Sequence, residues 1–269
     1  MAINLNFKKF KRIFAFGCSF TCYRWPTWAD LISMDNKQAQ YYNYGIPGLG
    51  NLGISVRVAE ANKRFKFNED DLVMVMWSTF CREDRWVNGR WFSQGNVFNS
   101  EYPSDWVRKY ADPFGYLIRD HALIHSTTHY LKSLPSSSLL LKSSPFYLTE
   151  GPALSNENKE LYLQLKNLYF NEYNNMPIDL NSFVGNWNSI KQEFLDDMSD
   201  KSNPRRVVDG HPFTGMYADY LARIGVELSD ETKQLAVESD ILMKSKPKAS
   251  VINSKYGHIS RLPDVGNPF

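Results

Sequence analysis

The pattern of hydrophobic and polar positions predicts strands and helices that alternate along the first third of the chain. Segments 12–16, 41–44 and 72–77 are typical of strands, and the third, LVMVMW, is apolar at both alternating sets of positions, as in a central parallel strand. Segments 25–32 and 51–65 have apolar residues at helical spacing. Strand, helix, strand, helix and strand within about 70 residues predict right-handed βαβ units and a parallel sheet.

The pattern loosens after residue 80. Aromatic and polar residues without a clear period predict an insertion at about 80–114, and an Asn- and Leu-rich stretch predicts another at about 155–204. The remaining elements are expected in this order: a helix at 115–134, a strand at 136–144, and helices at 215–224 and 230–242. We therefore expect one α/β domain over residues 1–229, followed by a C-terminal helix and an extended tail over residues 230–269.

Composition and charge exclude several classes of protein. The chain has 269 residues, 43% hydrophobic and 22% charged, which is typical of globular proteins. A net charge of +2 provides no field that would select nucleic acid. No run reaches the roughly 18 apolar residues of a membrane helix, and the start of the chain lacks a signal-peptide pattern. With three cysteines, an odd count, we expect a cytoplasmic protein, or one held in a viral particle or released by lysis.

Small and polar residues follow the predicted strands. In open α/β sheets, functional groups gather beyond the carboxyl ends of the strands. Three such stretches are Gly17-Cys18-Ser19, Asn43-x-Gly45-x-x-Gly48 and Trp77-Ser78-Thr79, and a fourth stretch of interest, Asp209-Gly210-His211-Pro212, lies near the C-terminal end of the domain.

Ser19 and His211 have the residue types of a nucleophile and its general base. A serine needs a base within hydrogen-bond reach, and that base is usually oriented by a third group, for which Asp209 is the candidate. The chemistry also needs donors aimed at a developing oxyanion. The backbone N–H of Ser19 is a candidate donor, and Gly48 lets the backbone approach a substrate oxygen because it has no Cβ.

In order and spacing, these blocks resemble the SGNH (GDSL-type) hydrolases across about residues 12–225. Gly17-Cys18-Ser19 corresponds to the Gly-Asp-Ser block, the glycine loop to the second block, and Asp209 with His211 to the last. The resemblance implies a three-layer α/β/α sandwich with a flavodoxin-like, five-stranded parallel sheet in the order 2-1-3-4-5. It also implies ester hydrolysis with no metal or cofactor.

Two blocks depart from the family's pattern. The third block usually carries Gly-x-Asn-Asp, whose Asn side chain is an oxyanion donor, but this chain has Trp77-Ser78-Thr79. The hydroxyl of Thr79 or Ser78, or the amide of Asn51 at the start of the next helix, is the candidate substitute. Asp209 and His211 are separated by one residue, where two are commonest in the family.

Each candidate also has a plainer interpretation. Ser19 fits a helix N-cap, Cys18 is an alternative thiol nucleophile, and His211 fits a structural turn. His121, His125 and His129 share one helical face, which we interpret as packed or solvated rather than as a metal site.

Residues 82–85 predict an ion-pair network. The aromatic residues of the first insertion form either its own small core or a stacking surface for sugars or a partner protein at Trp86, Trp91 or Trp106.

Taken together, the sequence predicts a serine ester hydrolase that removes a small acyl group, acetyl in the first instance, from a carbohydrate through an acyl-enzyme. Its expected partner is a small-molecule or polysaccharide ester, with no nucleic acid and no membrane. Two alternatives stay open. One is a structural or binding protein, such as a phage particle component, that retains the fold with weak or no activity. The other is an O-acyltransferase.

Overall fold

The computed structural model describes residues 3, 5–88, 90–98, 102–144, 160, 163–164, 175–184 and 211–245. The strands are β1 (Arg12–Phe16), β2 (Gln40–Asn43), β3 (Asp71–Trp77), β4 (Arg85–Val87), β5 (Arg90–Phe92) and β6 (Ser137–Lys142). The helices are α1 (Trp28–Asp35), α2 (Asn51–Phe65), α3 (Ser104–Tyr110), α4 (Pro113–Lys132), α5 (Leu180–Val184), α6 (Thr214–Arg223) and α7 (Asp230–Ser245), with a 3₁₀ turn at Phe7–Lys9.

Four strands form a parallel sheet in the order β2-β1-β3-β6. Phe16, the last residue of β1, lies opposite Val75 of β3, so the ends of these neighbouring strands meet at one edge. The order confirms the first four positions of the predicted flavodoxin-like arrangement. The expected fifth strand is not among the described residues, and residues 185–210 lie outside them.

Helices cover both faces of this sheet and create two hydrophobic cores. Alternate side chains of a strand point to opposite faces. Ile13 and Met74 therefore pack with residues of α1, α6 and α7, whereas Phe14 and Val75 pack with residues of α2 and α4. All residues of β3 are buried because both of its faces are covered. The predicted three-layer sandwich is confirmed.

The first insertion has a structure that its sequence did not reveal. Strands β4 and β5 pair as a short antiparallel hairpin, and α3 follows it. The predicted helix at 115–134 begins two residues earlier, because Asp112 accepts a hydrogen bond from the Phe114 N–H and Pro113 fits the first helical position. Most of the second insertion and the tail after residue 245 lie outside the described residues.

In the part of the chain that the structure describes, every helix is too short or too polar to cross a membrane.

Candidate active site

Ser19 lies in a tight turn directly after β1. The N–H groups of Thr21 and Cys22 both donate to the Cys18 carbonyl, at 2.9 and 3.1 Å. Gly17 has no room for a side chain, because a Cβ there would collide with Thr21 Oγ1 and lie 3.0 Å from the Met76 carbonyl oxygen of β3. Ser19 is buried, and its hydroxyl has no hydrogen-bond partner among the described residues. As far as the described residues show, the Ser19 hydroxyl is therefore uncommitted.

The interpretation of Ser19 as a helix N-cap is wrong. Helix α1 begins nine residues later, at Trp28, and its N-cap is Thr27. The Thr27 N–H donates to Asp30 at 2.8 Å, and the Thr27 hydroxyl donates to the Thr21 carbonyl at 2.8 Å. The predicted helix at 25–32 starts late for this reason, and the cap also holds the end of the Ser19 turn.

The glycine loop after β2 is fixed beside this turn. The Asn43 side chain accepts from the Gly45 N–H at 2.9 Å and donates to the Thr21 carbonyl at 2.8 Å. The Ile46 N–H donates to the Gly17 carbonyl at 3.1 Å. These bonds bring the first and second blocks together.

Gly48 occupies the third position of a turn that only a residue with positive φ completes easily. Its φ is +81°, Pro47 precedes it, and the Leu49 N–H donates to the Ile46 carbonyl at 3.1 Å. This is the pattern of a type II turn. A Cβ on Gly48 would also lie 3.0 Å from the Ser93 carbonyl oxygen of the first insertion. The Gly48 N–H makes no hydrogen bond with the described residues.

The amide of Asn51 is used inside the fold. Its Oδ1 accepts from the Ser78 N–H at 2.9 Å, and its Nδ2 donates to the Ser78 carbonyl at 3.2 Å and to Asp120 Oδ2 at 3.0 Å. Asn51 is fully buried, and both of its amide hydrogens are engaged. Its hydrogen bonds therefore do not support the prediction that Asn51 supplies an oxyanion donor.

Thr79 is the partly exposed member of the third block, whereas Ser78 is fully buried. Arg82 Nε donates to Thr79 Oγ1 at 3.0 Å, and Arg82 Nη1 donates to the Leu49 carbonyl at 3.0 Å. Because a guanidinium only donates, the Thr79 oxygen is the acceptor and its own hydrogen is available for another acceptor. Sequence reasoning missed this role of Arg82, which ties the third block to the glycine loop.

Asp84 caps helix α2 from a distance. Its carboxylate accepts from the N–H groups of Gly50 and Gly53, each at 2.8 Å, and the side chain is buried. Gly50 is the N-cap residue and has no side chain of its own for this task. A carboxylate also complements the positive end of the helix dipole. Because a glycine at the N-cap has no side chain to accept from the helix N–H groups, Gly50 was the signal in the sequence that a residue from elsewhere in the chain caps α2.

The predicted ion-pair network continues onto α4. Glu83 contacts Arg85 at 3.2 Å and Arg119 at 3.5 Å, and Arg119 also pairs with Asp120 at 2.8 Å. Burial raises the pKa of Asp120 to about 6, although Arg119 and Asn51 oppose that rise.

His211 lies against the Ser19 turn. Its ring stacks on Tyr23 with 3.8 Å between ring centroids, and the Phe20 ring is 5.3 Å away. Trp25 Nε1 donates to the Pro212 carbonyl at 2.8 Å, which fixes the His211 segment to the same loop. The fold therefore brings the first and last blocks together across the chain. Asp209 lies outside the described residues.

Two alternative chemistries receive no support from the described residues. Cys18 is fully buried beside the turn, which does not suit an attacking thiol. His121 is buried, which lowers its pKa to about 4, and the His125 and His129 rings lie 4.4 Å apart. Among the described residues, no three or more His, Cys, Asp or Glu side chains are grouped so that they could hold a metal ion.

Comparison with known proteins returns similarity in structure but not in sequence. No family model and no curated protein matches the chain. One similar solved structure is a member of the lipolytic protein G-D-S-L family from Veillonella parvula DSM 2008, with 12% identity, coverage of 87% of this chain and 98% of that chain, and a TM-score of 0.36. A second is a psychrotrophic esterase from Pseudoalteromonas sp., with 10% identity, coverage of 86% and 98%, and a TM-score of 0.34.

A third is a GDSL-like lipase from Bacteroides thetaiotaomicron VPI-5482, with 15% identity, coverage of 88% and 89%, and a TM-score of 0.31. These proteins belong to the class that the motifs of this chain resemble. At TM-scores of 0.31–0.36, the likeness by itself assigns no activity to the chain. A functional assignment therefore depends on the residues of the site.

Proposed function

We propose that the protein is a serine ester hydrolase in which Ser19 is the nucleophile and His211 the general base. One observation carries the proposal: the turn that holds Ser19 contacts the glycine loop on one side and the His211 segment on another. A serine at the carboxyl edge of a parallel sheet, with an imidazole in the adjoining segment, has the parts that acyl transfer needs.

The reaction proceeds in two halves. Ser19 Oγ attacks the ester carbonyl while His211 accepts the hydroxyl proton, and the C–O bond to the leaving alcohol breaks as His211 returns that proton to the alcohol oxygen. Water then attacks the acyl-enzyme, again with His211 as base, and releases the carboxylic acid and free Ser19. Asp209 is the proposed orienting partner of the imidazole.

Three donors are proposed for the oxyanion. The N–H groups of Ser19 and Gly48 have no acceptor among the described residues, and the Thr79 hydroxyl has a hydrogen to donate. The positive charge of Arg82 on the Thr79 oxygen makes that hydroxyl a stronger donor. Thr79 thus takes the place of the Asn side chain that the third block lacks. Ser78 is not included, because it is fully buried.

The proposed substrate is a small acyl group, acetyl in the first instance, on a carbohydrate. Aromatic side chains of the first insertion support this choice, since Tyr110 is exposed there and lies beside Trp106 on α3. The departure of the third block from the family's pattern instead favours the alternative, a binding or structural protein with little activity.

Turnover of p-nitrophenyl acetate distinguishes an ester hydrolase from a binding or structural protein with little activity. We expect the turnover rate of Ser19→Ala to be at least about 10³-fold lower than that of the wild type, because the nucleophile is absent. Ser126→Ala, a change of the same kind on an exposed serine of α4, is the matched control and should leave the rate unchanged. A fluorophosphonate should label Ser19, as intact-protein mass and peptide mapping would reveal. Equal rates for wild type and Ser19→Ala would refute the proposal.

A further inference from the structure

A cavity of about 490 Å³ opens in the first insertion, outside the residues assigned to the ester chemistry. Its lining combines three aromatic side chains with one acid and one base: Trp106, Tyr110, Tyr116, Glu83 and Arg85. Such a mixture of flat apolar surface and a few polar groups is typical of small-ligand sites.

One wall of the cavity is formed by aromatic side chains of α3. Trp106 and Tyr110 are four residues apart and therefore lie on one face of the helix, with 5.9 Å between ring centroids. Tyr110 is 59% exposed, and the Arg85 guanidinium lies 5.1 Å from the Trp106 ring centroid. An aromatic pair of which one ring is exposed and the other partly buried provides a flat surface on which the C–H face of a sugar ring can stack.

The rest of the lining carries hydrogen-bond donors and an acceptor side by side. Arg85 Nε donates to Glu83 at 3.2 Å, and the Tyr116 hydroxyl donates to the same carboxylate at 2.8 Å. Sugar hydroxyl groups both donate and accept, so a rim that mixes the two kinds of group suits them.

The charged side chains that line the cavity balance, because Glu83 and Arg85 form an ion pair within a larger network. Three arginines and three carboxylates lie in this network, namely Arg82, Arg85 and Arg119 with Glu83, Asp84 and Asp120. Counted over these six groups the sum is zero, whereas Lys109, whose Nζ lies 5.0 Å from the Tyr110 ring centroid, adds one positive charge beside the cavity. An anionic sugar is therefore the necessary comparison for a neutral one.

We propose that this cavity is a subsite for a neutral sugar ring of the carbohydrate whose ester reaches Ser19, an inference that rests on the proposed function. Glu83 follows Thr79 by four residues, so their Cα atoms are at most about 14 Å apart. A substrate longer than one ring can therefore contact the cavity and the third block together. The subsite contributes to substrate binding, and its loss raises KM more than it lowers kcat.

Saturation-transfer NMR on the full chain carrying Ser19→Ala tests the subsite independently of turnover. The probes are cellohexaose, xylohexaose, mannohexaose and N-acetylchitohexaose, with hexagalacturonate as the anionic comparison. We expect transfer to at least one neutral probe. We also expect an affinity about 2- to 12-fold weaker in Trp106→Ala and in Tyr110→Ala, the equivalent of losing one aromatic stack.

Trp86→Ala is the matched control, because Trp86 is exposed on β4 and does not line the cavity. Its probe affinity should equal that of the Ser19→Ala parent. Tyr110→Ala removes an exposed side chain and should therefore leave the fold intact. Thermal unfolding of the variant verifies that it does. Absence of binding by every neutral probe, preference for hexagalacturonate, or equal weakening by Trp86→Ala would overturn the subsite. If Ser19-dependent turnover of p-nitrophenyl acetate is still observed in that case, the subsite proposal is refuted while the proposed esterase function is supported.

Discussion

Replacing Thr79 by Val tests the donor that we assign to the third block. Valine keeps the branched shape and removes the hydroxyl that accepts from Arg82 Nε at 3.0 Å and is free to donate. We expect kcat for p-nitrophenyl acetate to fall while KM changes little, because the donor acts on charge that develops only in the transition state.

The size of the effect follows from two comparisons. A hydrogen bond to a charged group contributes about 1.5–3 kcal/mol, which corresponds to about 10- to 160-fold in rate. Loss of one oxyanion donor from a preorganised, water-poor site costs about 10²–10³-fold. Thr79 is partly exposed, so its donor works in a more polar setting than a buried one. We therefore expect the loss of kcat to be about 10- to 10²-fold.

Thr79→Ser is the control, because it retains the hydroxyl and should keep most of the rate. Arg82→Met removes the group that orients the hydroxyl and should cost less than Thr79→Val, since the donor itself remains. Urea unfolding of each variant separates loss of rate from loss of fold. A kcat for Thr79→Val within about threefold of wild type, with the fold intact, would refute Thr79 as a donor.

Three further predictions follow from the same geometry. Asn51→Ala should lower the free energy of unfolding in urea by about 2–5 kcal/mol, because it removes three buried hydrogen bonds; a large loss of kcat at unchanged stability would instead restore its role as a donor. Gly48→Ala should destabilise by at least about 1–2 kcal/mol, measured in the same way, because φ is +81° and the Ser93 carbonyl oxygen lies 3.0 Å from the added Cβ. Burial raises the pKa of Asp120 to about 6, so the folded state holds its proton more tightly than the unfolded chain. Stability from this group is therefore full below about pH 4 and falls by up to about 3 kcal/mol as the pH rises through 6, and a pH series of urea unfolding on Asp120→Asn should lack that slope.

Sequence reasoning succeeded where local pattern determines structure. The fully apolar segment at 72–77 became β3, and a strand at Gln40–Asn43 joined β1 at the predicted edge. Gly17, which follows the first predicted strand, has a steric reason in the structure, since a Cβ there would collide with Thr21 Oγ1.

What could not be predicted depends on contacts between distant residues. Asp84 caps α2 across 34 positions of chain, and no local pattern announces such a pairing. Asn51 looked like a free amide in the sequence, but in the fold it is enclosed by Ser78 and Asp120. The start of α1 depended on the Thr27–Asp30 cap, which outweighed the apolar spacing that begins at Trp25.

The cap that Asp84 places on α2 has a consequence for how this domain can vary. Asp84 belongs to the first insertion, whereas the helix that it caps, α2, packs against the parallel sheet. Deleting the insertion, or exchanging it for the corresponding loop of another protein, would remove the acceptor of two helix-terminal N–H groups at a cost of about 1–2 kcal/mol. The insertion therefore cannot be exchanged freely, and any sequence grafted in its place must carry an acid at this point or give residue 50 a capping side chain.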